Sequence, residues 1–202
     1  MESKAMKQTA HFNPKTTGWI ISLIIMIAVS AAVIFGSEAI YGSANKKYTE
    51  PVEVTFTIAS TKDMDISGTN ASDYSITAVQ EAYDGAGTLV AYVVTGTTVG
   101  YNAESPIEMS TIISADGTLV CGIDILHQDE TEYLGVKIAT DAFKNQFAGR
   151  YLPVVASGDT AKGSTIDTLA NATISSKAVI DAVNNAQSFV LDNFGAEGSA
   201  AQ

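Results

Sequence analysis

Between Lys15 and Glu38 the chain carries no charged residue over 22 positions. A helix of that length rises roughly 33 Å, about the hydrocarbon thickness of a bilayer. Trp19 stands near its start, where an interfacial aromatic belongs. No polar face interrupts the run, so it does not suit a helix lying on a globular core. Lys4, Lys7 and Lys15 against Glu2 give residues 1–18 a net charge of +2, and Glu38 follows the run. The positive-inside bias then puts the N-terminus in the cytoplasm and the rest outside. We therefore expect a cytoplasmic tail over 1–18, a single-pass transmembrane anchor over 19–37 and an extracytoplasmic domain in the cell membrane. The apolar run exceeds the ~7–15 residues of a signal peptide, although the small residues Gly36, Ser37 and Ala39 keep cleavage open.

The 202 residues carry a net charge of −11, so everything after the tail holds −13. Such a domain repels phosphate backbones, which argues against nucleic acid as a partner. It also stays off an anionic lipid surface unless it is anchored there. The single cysteine, Cys121, excludes an intramolecular disulfide and any multi-cysteine metal or iron–sulfur site.

Beyond the anchor, 38–73 is polar and irregular and reads as a juxtamembrane connection, with one strand-like patch from Val52 to Ile58. Two hairpins follow. Tyr74–Tyr83 and Leu89–Thr95 flank Asp84-Gly85-Ala86-Gly87, and Ile107–Ile113 and Thr118–Leu126 flank Ala115-Asp116-Gly117. Asp-Gly between β-rich runs supplies the positive φ that a tight turn needs. By the period of two, Leu119, Cys121, Ile123 and Ile125 share one face, which makes Cys121 a buried small hydrophobe. Ile138, Ala139, Ala142, Phe143, Gln146 and Phe147 keep helical spacing, with Gly149 as the stop. Ala178, Val179, Ala182, Val183, Ala186 and Val190 stripe a helix from about Ser175 to Asn193, and the tail from Gly195 should fray. The expected fold is α+β, an antiparallel sheet of hairpins with packed helices, over a domain of 74–194.

The segment richest in chemistry runs from Asp167 to Val179, a hydroxyl-rich loop entering the last helix. Unpaired backbone N–H groups and the helix dipole there favour an anion such as a phosphate. Ser175 and Ser176 offer further donors and Lys177 a positive charge. Ordinary N-capping by Ser and Thr explains the same residues equally simply.

That segment resembles the flavinylation motif Asp-x-x-Ser-Gly-Ala-Thr-x-Thr-Ser-x-x-Val of RnfG, the FMN-binding member of the Rnf electron-transport complex. That family is related to NqrC of the sodium-translocating NADH:quinone reductase. Asp167, Ala172, Thr173, Ser176 and Val179 match, and Ser175 replaces a threonine. Ala170 and Asn171 stand where the family has Ser and Gly; Asn is the residue best able to replace Gly in a left-handed turn. A second family loop, Glu-Thr-Pro-Gly-Leu-Gly, resembles Glu130-Thr131-Glu132-Tyr133-Leu134-Gly135. Gly100-Tyr101 followed by Ser105-Pro106-Ile107 is similar to the family's Gly-Tyr-x-x-x-Ile.

The resemblance implies FMN held covalently as a phosphoester on Thr173, transferred from FAD by a separate magnesium-dependent flavin transferase. It implies flavin contacts by Glu130, Thr131, Leu134 and Gly135, and a site completed by Ala172, Ser175, Ser176 and Lys177. Tyr133 then becomes a candidate to stack on the isoalloxazine. The implied role is a membrane-anchored electron carrier in an ion-translocating ferredoxin:NAD oxidoreductase, among other membrane and peripheral subunits, with no catalysis by the isolated chain. An acidic domain should disfavour an anionic reduced flavin and lower its potential. Two other readings remain open: a stand-alone flavinylated carrier, and an anchored binding or adhesion module without redox chemistry. His11 and His127 lack a second ligand at metal spacing. Arg150, the only arginine, is expected to pair with a carboxylate, or else with the flavin phosphate.

Overall fold

Two glycine turns organise the sheet. β2 (Ile76–Tyr83) and β3 (Leu89–Thr98) are joined through Gly87 at φ 81°, and β4 (Ile107–Ser114) and β5 (Leu119–His127) through Gly117 at φ 69°. The Asp-Gly signals thus mark both hairpins. Asp84 Oδ1 accepts from the N–H groups of Ala86 and Thr88, and Asp116 Oδ1 from that of Thr118, which satisfies donors the turns expose. With β1 (Ser60–Asp63) and β6 (Arg150–Tyr151) they make a six-stranded antiparallel meander in chain order. A separate parallel pair, β7 (Val154–Ala156) and β8 (Ser164–Ile166), was not expected from hairpin signals. This computed structural model describes residues 48–195. The apolar run, its preceding tail, and 196–202 of the C-terminal tail lie outside the described residues; among those described, no helix is long and apolar enough to cross a membrane.

The last helix spans Thr173–Phe194, two residues earlier and one later than its apolar stripe suggests. Its buried side chains Val179, Val183, Ala186, Phe189 and Val190 meet Val79, Tyr92, Val94, Ile113 and Val120 from the sheet. Asn184 ties the parallel pair to it, accepting from Val154 N at 3.0 Å and donating to Val154 O at 2.9 Å. Tyr74 and Phe194 both meet the Phe189 ring edge-on. The α+β expectation therefore holds.

Four details differ from the periodic reading. The sheet begins at Ser60, within the stretch read as a connection. In the strand-like patch Val52 to Ile58, exposure alternates only from Glu53 onward and no ladder forms; Ala59 N reaching Tyr83 O starts the pairing. The helix expected around Ile138–Phe147 is a 3₁₀ turn at Gly135–Ala139 and a short α-helix at Asp141–Lys144. They are broken at Thr140, whose backbone is extended at ψ 147° and whose hydroxyl bonds Lys137 O. Among the described residues Arg150 donates to the carbonyls of Gln146 and Thr49, not to a carboxylate, and so fastens the incoming chain.

Cys121 is only half-buried, because β5 slips register beside it: Ile112 faces Gly122, but Ile113 faces Val120. This bulge hands the inward place to Val120, in line with Ile123 and Ile125 opposite Thr111 and Met109. Burial, with the nearby Asp116 charge, still pushes the thiol up to about 11 from 9.0. Two units leave a hundredfold less thiolate at a given pH. Alkylation of the folded protein by iodoacetamide at pH 8 should accordingly run about 100-fold slower than that of the urea-unfolded chain.

Candidate functional site

The N-terminus of the last helix opens into a cavity of about 380 Å³. Three segments far apart in sequence wall it: Tyr101; Thr131, Leu134 and Gly135; and Asn171 through Ser175. That volume lies in the range that holds small molecules and cofactors. Ala172 is the N-cap and no side chain caps it, so the first-turn N–H groups are left for whatever occupies the cavity. Asn171 adopts φ 62°, the left-handed turn expected of it, and turns the chain into the helix.

Thr173 is the first helical residue, exposed on the cavity wall, and its hydroxyl has no hydrogen-bond partner among the described residues. The neighbouring hydroxyls are committed elsewhere. Ser176 is fully buried: its Oγ donates to Ala172 O at 2.9 Å and accepts from Leu169 N at 3.0 Å, stapling the loop to the helix. Ser175 Oγ lies 2.5 Å from Glu130 Oε2, to which it donates. Lys177 pairs with Asp159 at 3.2 Å on the outer surface. Of the expected anion donors, Ser176 and Lys177 are therefore not on the cavity wall.

Glu130 lies at the junction of the three segments with 5% of its surface exposed. Oε2 accepts from Tyr101 N at 3.1 Å and Oε1 from Asn102 N at 3.2 Å. Gly135 is needed here for its missing side chain: a Cβ would stand 2.7 Å from Glu130 Cβ. A second, more open concavity of about 340 Å³, lined by Tyr101, Asn102, Asp129, Glu130 and Thr131, adjoins the first.

Tyr133, the expected stacking residue, is absent from the cavity wall and 75% exposed. Its φ of 64° aims it outward, in a conformation that costs an L-residue roughly 1–2 kcal/mol. Tyr133→Gly should raise the urea-unfolding free energy by about 0.5–1 kcal/mol, once glycine's greater chain entropy is deducted. Tyr101, 66% exposed, supplies the aromatic wall instead, and Ile174 an apolar one. The sequence marked Tyr101 only through Gly100-Tyr101; nothing local marked Ile174.

The arrangement suits a flat aromatic cofactor with a phosphate end. Tyr101, Leu134 and Ile174 offer apolar contact, and the uncapped helix start takes an anion without a cationic side chain on the wall. Residues 100–188, which include every wall residue, match the family model described as FMN-binding domain. The G subunit of the ion-translocating oxidoreductase complex of Methanosarcina acetivorans is 37% identical over 107 residues, 53% of this chain and 55% of that protein. The G subunit of the Na(+)-translocating ferredoxin:NAD(+) oxidoreductase complex of Acetobacterium woodii is 42% identical over 103 residues, 48% of each. The chain thus spans about half the length of these relatives. Among solved structures, NqrC of Shewanella oneidensis superposes with TM-score 0.52 at 18% identity over 61% of each chain. The C subunit of the Na(+)-translocating NADH-quinone reductase of Parabacteroides distasonis gives 0.51 at 22% identity, over 66% of this chain and 76% of that one. The segment 100–188 thus carries both the match to the FMN-binding domain model and this cavity, on a fold like that of NqrC.

Proposed function

We propose that this chain is the G subunit of an Rnf-type ion-translocating ferredoxin:NAD oxidoreductase, an electron carrier with FMN esterified to Thr173. The observation that carries the reading is the one unengaged hydroxyl at an uncapped helix N-terminus, on the wall of an apolar cavity. The names of the Methanosarcina and Acetobacterium relatives support the assignment to such a complex. In maturation, Thr173 Oγ1 loses its proton and attacks the flavin-side phosphorus of FAD in a flavin transferase; the new O–P bond forms as AMP leaves. Bound FMN supplies reversible electron transfer, and the protein sets where it sits and at what potential.

Each wall residue then has a task. The first-turn N–H groups hold the phosphodiester, and the helix dipole offsets its single charge. Tyr101, Leu134 and Ile174 cover the ring, while Thr131 and the Gly135 backbone border it. The uncharged run after Lys15 serves as an uncleaved anchor that keeps the domain on the outer membrane face, beside partner subunits and lipid. A covalent bond suits that location, where a dissociated cofactor would be lost.

The test is co-production of the full chain with a flavin transferase, followed by intact mass and absorbance. The expected product is yellow and heavier by one FMN less water. A colourless protein of unmodified mass from the native membrane would sink the reading.

A further inference from the structure

We propose that Glu130 is the positioning residue of this site, a buried carboxylate that locks the three cavity walls together and holds the flavin potential down. The inference rests on the FMN reading above but concerns a residue that need not touch the cofactor.

Glu130 receives hydrogen bonds from residues 29, 28 and 45 positions away: Tyr101 N, Asn102 N and Ser175 Oγ. The first two set the backbone that carries the Tyr101 wall. The third sets the first helical turn, two residues from Thr173. Glu130 itself opens the loop whose Thr131, Leu134 and Gly135 form the remaining wall. Two glycines are shaped around it. A Cβ on Gly100 would stand 2.2 Å from Oε1, and one on Gly135 would meet both the Glu130 side chain and Ser175 Oγ. A carboxylate withdrawn this far from water persists only when its lone pairs are matched by donors, and here they are. Its charge, poorly screened at 5% exposure, opposes the addition of electrons to a neighbouring ring.

The experiment compares wild type, Glu130→Gln, Glu130→Asp and Ser175→Ala, each as apo protein and after flavinylation. In apo Glu130→Gln, amide exchange at Tyr101 and Asn102 should accelerate at least tenfold, while Val94 in the sheet is unchanged. In the loaded protein, the reduced-to-oxidised flavin ratio at a fixed ambient potential should rise about tenfold, equivalent to about 30 mV for a two-electron couple. Glu130→Asp, which keeps the charge, should restore the ratio to within threefold of wild type. Ser175→Ala should loosen the helix start and slow flavinylation without raising the potential, which separates charge from mere scaffolding. If loaded Glu130→Gln keeps the wild-type ratio, or if Glu130→Asp shows the full tenfold rise, this proposal is overturned while the cofactor assignment stands. A wild-type protein that never acquires flavin overturns both.

Discussion

Thr173→Ala should abolish covalent flavin completely: the mass increment and the fluorescent band on a denaturing gel should both disappear. The effect should be all or none, because a phosphoester needs an oxygen and no other hydroxyl at the helix start is unengaged among the described residues. Ser175 Oγ is held by Glu130, Ser176 is buried behind Ala172, and Thr131 lies on the opposite loop. The fold should survive, since the Thr173 side chain is exposed and without partners among the described residues, and Ala is the better helix former by a few tenths of a kcal/mol. Thr173→Ser keeps the oxygen and should keep measurable loading. Wild-type mass gain in Thr173→Ala would place the ester elsewhere, with Thr131 the first residue to test.

The largest stability effect falls at the far end of the same helix. Phe189 is fully buried between the Tyr74 and Phe194 rings. Truncation to Ala removes its contacts and leaves a void, at a cost of about 3–5 kcal/mol. That is a large share of the roughly 5–15 kcal/mol available to a domain, and it corresponds to a fall in Tm on the order of 10 °C. Ile174→Ala on the same helix, 57% exposed, should stay within about 0.5 kcal/mol. Urea denaturation of the protein reads both. Comparable losses in the two variants would mean that the helix is not seated on the sheet as described.

What was legible in the sequence was what short-range rules govern. Gly117 turns where Asp-Gly stands, and the first hairpin turns at Gly87, two residues after the glycine of its own Asp-Gly, because only local backbone sterics decide it. The stripe from Val179 to Val190 lies against the sheet because a 3.6-residue period defines one face wherever the helix docks. Asn171 could be expected in a left-handed turn for the same local reason. Interruptions of periodicity escaped. The register slip beside Cys121 and the break at Thr140 each come from a partner elsewhere in the chain or from a single side-chain bond, and no apolar pattern encodes them.

By itself, then, the sequence determined the hairpins, the last helix and the hydroxyl loop at its mouth, since each depends on residues within a turn or two of one another. Only the tertiary structure decided which hydroxyl stays available. Residues Thr173, Ser175 and Ser176 look interchangeable in a line, but successive residues rotate by about 100° around a helix. One therefore meets Glu130, one meets its own loop, and one is left facing the cavity. Lys177 likewise went to Asp159, and Tyr101 replaced Tyr133 as the aromatic wall, because both outcomes depend on contacts between segments that meet only after the chain has folded.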